Sequence, residues 1–160
     1  YNQRLMQYKT ICSIVFVLIC NTFANGQEIR IRGDVDFSFT YTNIKAGEDY
    51  SLETESKQDG VRMDIKKLKR QAYWRVTVNK SDINWDNQVK VYVRRTSSGN
   101  GNGSVWGGTN YTLINNMPQT FMQGQGLLNN IYLQYKLSGI SVELPANTYY
   151  TDIVYTLYEQ

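Results

Sequence analysis

The chain has 160 residues, 41% of them apolar and 19% charged, with 17 basic residues against 14 acidic ones. That length allows one domain with a sizeable core, and the near balance of charge excludes the basic footprint of a nucleic-acid binder. There is no histidine, so a metal or nucleophile chemistry built on imidazole is excluded as well.

The first 26 residues read as a secretory signal peptide. Lys9 precedes an apolar run at 11–20, "ICSIVFVLIC", and small and polar residues follow in "NTFANGQ". The run is too short to span a bilayer. Ala24 and Gly26 suit the −3 and −1 positions for cleavage before Gln27, and cleavage after Ala24 also fits. Residues 1–5 lie upstream of Met6, a natural start. Leu18 and Ile19 before Cys20 do not suit a lipoprotein signal. The competing reading of the same run is a buried N-terminal strand or helix. Cleavage divides the chain into a signal at 1–26 and one domain at 27–160, predicted to be secreted, periplasmic or on the cell surface, with no membrane span. Cys12 and Cys20 leave with the signal, so no thiol or disulfide is expected in the domain. With neither Cys nor His, no metal and no cofactor is expected.

From Ile29 the text alternates strictly. Ile29, Ile31, Val35, Phe37, Phe39 and Tyr41 are apolar, with Arg, Asp, Ser and Thr between them, which predicts a strand with one wet face over 29–41. The same period recurs at Val61, Met63 and Ile65, at Trp74, Val76 and Val78, and at Val89, Val91 and Val93. It returns at Ile131, Leu133, Tyr135 and Leu137, and on the final strand at Tyr149, Thr151, Ile153, Tyr155 and Leu157. Only "DIKKLKRQAY" imitates a helix, and it is short and uncapped. Turn residues in "KAGEDY", "KQDG", "NKSDINWDN", "LSG" and "LPAN" separate the runs. The pattern predicts an all-β antiparallel sandwich of about eight strands, immunoglobulin-like or jelly-roll-like, with a closed barrel as the lesser option. Residues 115–130, "NNMPQTFMQGQGLLNN", read as a long connection or an irregular edge.

The glycine-rich run at 94–108, "RRTSSGNGNGSVWGG", lacks both the G-x-G-x-x-G triplet and a Gly-Lys-Ser/Thr, and no helix follows it. It reads as a turn between two strands, where Gly and Asn supply positive φ. Trp74 reads as core. Asp34 with Asp36, and Asp82 with Asp86, are the acid pairs a carboxylate hydrolase could use; solvation or turn capping is the stronger reading of both. "KKLKR" at 66–70 reads as a solvated edge. Asn79, Asn102 and Asn110 lie in glycosylation sequons, relevant only in a eukaryotic secretory route.

The closing stretch "NTYYTDIVYTLYEQ" resembles the last strand of small bacterial pilin-like and spore-coat-U-like secreted domains. The resemblance rests on Pro145-Ala146, Tyr149, Thr151-Asp152, and then Val154, Thr156 and Tyr158. "VYVRRTSSGNGNGSVWGGTNY" and "IYLQYKLSGISVELP" are similar to short exported bacterial proteins, and together these segments cover about half of the mature chain. The resemblance implies assembly by donated strands, in which an extended segment of one copy, or of a related surface subunit, completes the sheet of the next. Ile29, Ile31, Val35 and Phe37 have the form of such a donor, with Gly33 where the backbone passes closely. They also suit the first strand of their own domain. The expected function is therefore a non-enzymatic surface subunit, structural or adhesive. The alternative is a polysaccharide-binding module using Trp85, Trp106 and Tyr111 as an aromatic platform.

Overall fold

The structure, a computed structural model, describes residues 13–21, 27–37, 52–69, 71–141, 144–145 and 147–160. The described residues form strands β1 (Ser13–Asn21), β2 (Glu28–Gly33), β3 (Leu52–Glu55), β4 (Val61–Lys66), β5 (Tyr73–Asn84) and β6 (Lys90–Arg95). They continue as β7 (Asn100–Gly101), β8 (Ser104–Gly107), β9 (Thr112–Leu113), β10 (Gln119–Gln125), β11 (Leu128–Ile140) and β12 (Thr148–Glu159). No helix occurs among them.

Two sheets pack face to face. One has the order β1-β12-β5-β10-β8 and the other β2-β4-β11-β6-β9, with β3 and β7 also pairing to the long β11. Every pairing among the described residues is antiparallel except β1 with β12, which is parallel. The protein is an antiparallel β-sandwich, as the alternation predicts. From β4 onward the chain mostly changes sheet at each step, so most sequence neighbours face each other across the core and few lie side by side.

The inward residues are those the period of two selects. Val61, Met63 and Ile65 from β4, Trp74, Val76 and Val78 from β5, and Ile131, Leu133 and Leu137 from β11 are all at most 1% exposed. Trp74 donates its indole N–H to the Gly126 carbonyl at 2.8 Å, which satisfies the one polar atom that its burial would strand. The Tyr135 and Tyr155 hydroxyls meet at 2.7 Å in the core, one from each sheet.

Three expectations need correcting. The first strand stops at Gly33, whose φ of 110° and approach to the Gly60 carbonyl leave no room for a side chain; residues 34–37 lie beyond the end of the strand. Phe39 and Tyr41 lie outside the described residues. Residues 119–125, read as irregular, form β10, an interior strand between β5 and β8. The glycine run is more than a turn: β7 adds to β11 in one sheet and β8 to β10 in the other, before β9 returns to pair with β6. Its glycines are needed for close approach, since a Cβ at Gly101 would lie 2.4 Å from the Leu127 carbonyl oxygen and one at Gly103 2.4 Å from that of Gln125.

Candidate functional site

The last strand has two different edges. One edge of β12 pairs with β5 along almost its whole length. The other is covered by β1, in continuous parallel register from Ser13 opposite Thr148 to Asn21 opposite Thr156. β1 also lies against β2, so it fills the gap where the last strand of one sheet approaches the first strand of the other. The strand occupying this slot is the apolar run that also has the form of a signal sequence. Parallel pairing needs no hairpin or local turn, only an extended apolar segment of suitable length. Without β1, the outward backbone groups of β12 between Thr148 and Thr156 lose their partners. The inward Tyr149, Ile153 and Tyr155 of the same strand are at most 5% exposed, so the site beside them is part of the sandwich core.

The candidate donor residues sit within their own domain. Ile29, Ile31 and Gly33 of β2 lie opposite Ile65, Met63 and Val61 of β4. Ile29 is buried, and Ile31, Val35 and Phe37 pack partly buried against the core. β2 is the end strand of its sheet, bonded along one side to β4.

The three aromatic residues are not gathered into one platform. Trp85 is partly buried, packs against the core and donates its indole N–H to the Val89 carbonyl at 2.8 Å, with the Lys80 ammonium 5.7 Å from its ring. Trp106, on β8, points away from the core of the five-stranded sheet and is 49% exposed. Tyr111 lies on the opposite outer face, where the Arg94 guanidinium stands 4.6 Å and the Lys136 ammonium 5.2 Å from its ring. Burial pushes the Tyr111 hydroxyl up to about 12, with Glu55 adding to the shift and Arg94 opposing it. Arg94 also donates twice to the Gln134 amide oxygen, and Gln134 passes its own N–H to Glu55 at 3.2 Å. This is a network of opposed charges braced by aromatic rings.

The acid pairs are placed as follows. Asp34 and Asp36 are exposed. Asp86 accepts the Gln88 backbone N–H at 2.8 Å and caps a turn. Burial would raise the Asp82 carboxyl, but hydrogen bonds from Lys80, Asn116 and Thr151 together outweigh it and hold the group below its ordinary value. Among the described residues no cluster of three His, Cys, Asp or Glu could hold a metal, and no helix is long and apolar enough to cross a membrane. An open cleft of about 540 Å³, lined by Gln27, Gln71, Tyr73 and Glu159 among others, lies at one end of the five-stranded sheet. Gln27 donates its amide to Glu159 there at 2.8 Å.

The fold and this edge define a class: an all-β sandwich whose last strand pairs in parallel with its first. No family model, no curated protein and no solved structure matches the chain.

Proposed function

We propose that the chain is an exported, non-enzymatic surface protein, a pilin-like structural or adhesive subunit that assembles by strand addition at the outer edge of β12. One observation carries this reading. The slot beside β12 is filled by Ser13–Asn21, part of a stretch from Lys9 to Gln27 whose charged, apolar and small-residue order has the form of a cleaved leader. Once the leader is removed, the edge is long, regular and continuous with the core, and a strand from a neighbouring copy or a related subunit takes its place. The segment from Gln27 to Phe37 is the candidate donor, because β2 is an end strand held by β4 alone within its sheet. A single glycan platform built from Trp85, Trp106 and Tyr111 has no comparable support, since Trp106 and Tyr111 face opposite ways.

The exported protein tests this reading. Its mass across a concentration series should show oligomers. In them the outward amides of β12 between residues 148 and 156 should exchange slowly, and on dilution to monomer they should exchange fast. Removing residues 27–33 should collapse the oligomers if β2 is the donor. A monomer at every concentration, with the β12 edge exchanging fast throughout, would exclude assembly at this edge.

A further inference from the structure

Strand alternation turns Trp74, Val76 and Val78 of β5 inward, so Tyr73, Arg75 and Thr77 face away from the core. Register extends that outer face across four strands. Tyr158 of β12 lies opposite Arg75, Arg75 opposite Gln123 of β10, and Gln123 opposite Trp106 of β8. At about 4.8 Å per strand the row is roughly 14 Å long. Its aromatic ends are open: Tyr158 is 38% and Trp106 49% exposed, and Tyr73, one residue pair along, is 54% exposed. The Arg75 guanidinium lies 5.2 Å from the Tyr158 ring centroid and is the one charge in the row. The next row is three threonines, Thr156, Thr77 and Thr120.

The face is polar beneath its surface as well. Arg75 Nε and Thr77 Oγ1 lie buried under neighbouring side chains, and Thr77 is only 7% exposed. The groups open to an occupant are therefore the aromatic rings and the polar ends of the row itself. The row itself contains no aliphatic side chain, which disfavours an apolar protein partner. Its single cation is too few for charge-driven capture of an acidic polymer or a nucleic acid. Aromatic planes at both ends, with amide, guanidinium and hydroxyl groups between them, match a chain of sugars: C–H faces stack on the rings and hydroxyls meet the polar groups.

We propose that the outer face of the five-stranded sheet binds a neutral, extended polysaccharide along the row Tyr158, Arg75, Gln123 and Trp106. The site uses the outward face of β12 and not its edge, so it does not rest on strand addition. The full-chain protein would be mixed with microcrystalline cellulose, chitin and β-mannan, with heparin beads as the charged comparison. At least one neutral polymer should deplete the protein from solution, and added salt should change this little. Trp106→Ala and Tyr158→Ala should each weaken retention by about tenfold or more. Gln123→Ala, which leaves the Arg75–Tyr158 contact in place, should weaken it as well. Met117→Ala should change nothing, since Met117 is 76% exposed between β9 and β10. Three results would overturn the proposal: no retention on any of the neutral polymers, retention on heparin alone that salt abolishes, or undiminished retention in both aromatic variants. Self-association lost in Trp106→Ala, without glycan retention, would instead assign the face to a second copy.

Discussion

Gly124 has an ordinary backbone conformation, so its need for glycine is one of space alone. A Cβ there would lie 2.2 Å from Cζ2 of the fully buried Trp74 and 2.5 Å from the Ser104 carbonyl oxygen. The indole is held by its own hydrogen bond to Gly126 and by the facing sheet, so it cannot move aside cheaply. Gly124→Ala is expected to cost about 3 kcal/mol, the upper range for overpacking, as read from the urea midpoint. The paired substitution Trp74→Phe with Gly124→Ala should recover part of that loss, because it makes room for the added methyl. Nothing local to residue 124 announces this. A glycine among glutamines reads as a loop until the tryptophan beneath it is located.

Between elements, Asp64 of β4 does the most joining. Its carboxylate is fully buried and accepts from Arg32 of β2 at 2.6 Å and from the backbone N–H of Asn130 in β11 at 2.9 Å, with Lys66 3.6 Å away. It ties three neighbouring strands together where β11 breaks register and Asn130 takes a φ of 56°. Asp64→Ala leaves that N–H unpaired and should cost about 2–3 kcal/mol, whereas Asp64→Asn keeps an acceptor and should cost less. Thermal or urea unfolding of the two variants checks the order. The element scale also explains what alternation could and could not reveal. β4 and β5 alternate strictly between apolar and polar residues and are plain in the text, although Asp64 and Thr77 on their other faces are buried too. β10 carries a bulge between Thr120 and Met122, so Phe121 and Met122 are both buried and the alternation slips by one residue. The leader-like run at 11–20 is ambiguous for a different reason. Apolar, β-branched residues suit both an export signal and a strand, so the ambiguity is in the chemistry itself.

For the whole molecule, the two sheets are joined through their tyrosines as well as their aliphatic core. Burial pushes the Tyr135 and Tyr155 hydroxyls well above the ordinary tyrosine range, and it takes Tyr111 up to about 12. In each case the folded state keeps a proton that the unfolded chain releases near pH 10. The stability linked to these groups is therefore whole below pH 10 and is lost as pH rises. The Tyr111 share is expected to disappear between pH 10 and pH 12. A melting-temperature profile should fall across that window, and Tyr111→Phe should remove its share of the fall. Tyr155→Phe should flatten the profile further toward higher pH, at a cost of about 1 kcal/mol at neutral pH for the lost hydroxyl pair. A profile flat to pH 12 would contradict the burial of these groups.

By itself the sequence determined the class of fold, because a period of two over repeated short runs admits a half-buried sheet and little else. It also determined most of the core list, Trp74 included, because side-chain direction in a strand follows from parity alone. It marked the apolar run at 11–20, from which the structure forms β1 (Ser13–Asn21) beside β12. Which strands become neighbours was decided by the tertiary structure: the chain changes sheet at most steps after β4, and sequence adjacency carries no record of that. The two surfaces proposed to act have the same origin. The slot beside β12 exists where the first and last strands of different sheets come together. The aromatic row exists where register aligns Tyr158, Arg75, Gln123 and Trp106, residues from four separated strands. Each of these is one exposed or half-buried side chain in the text, and only pairing across the sheet makes them a surface.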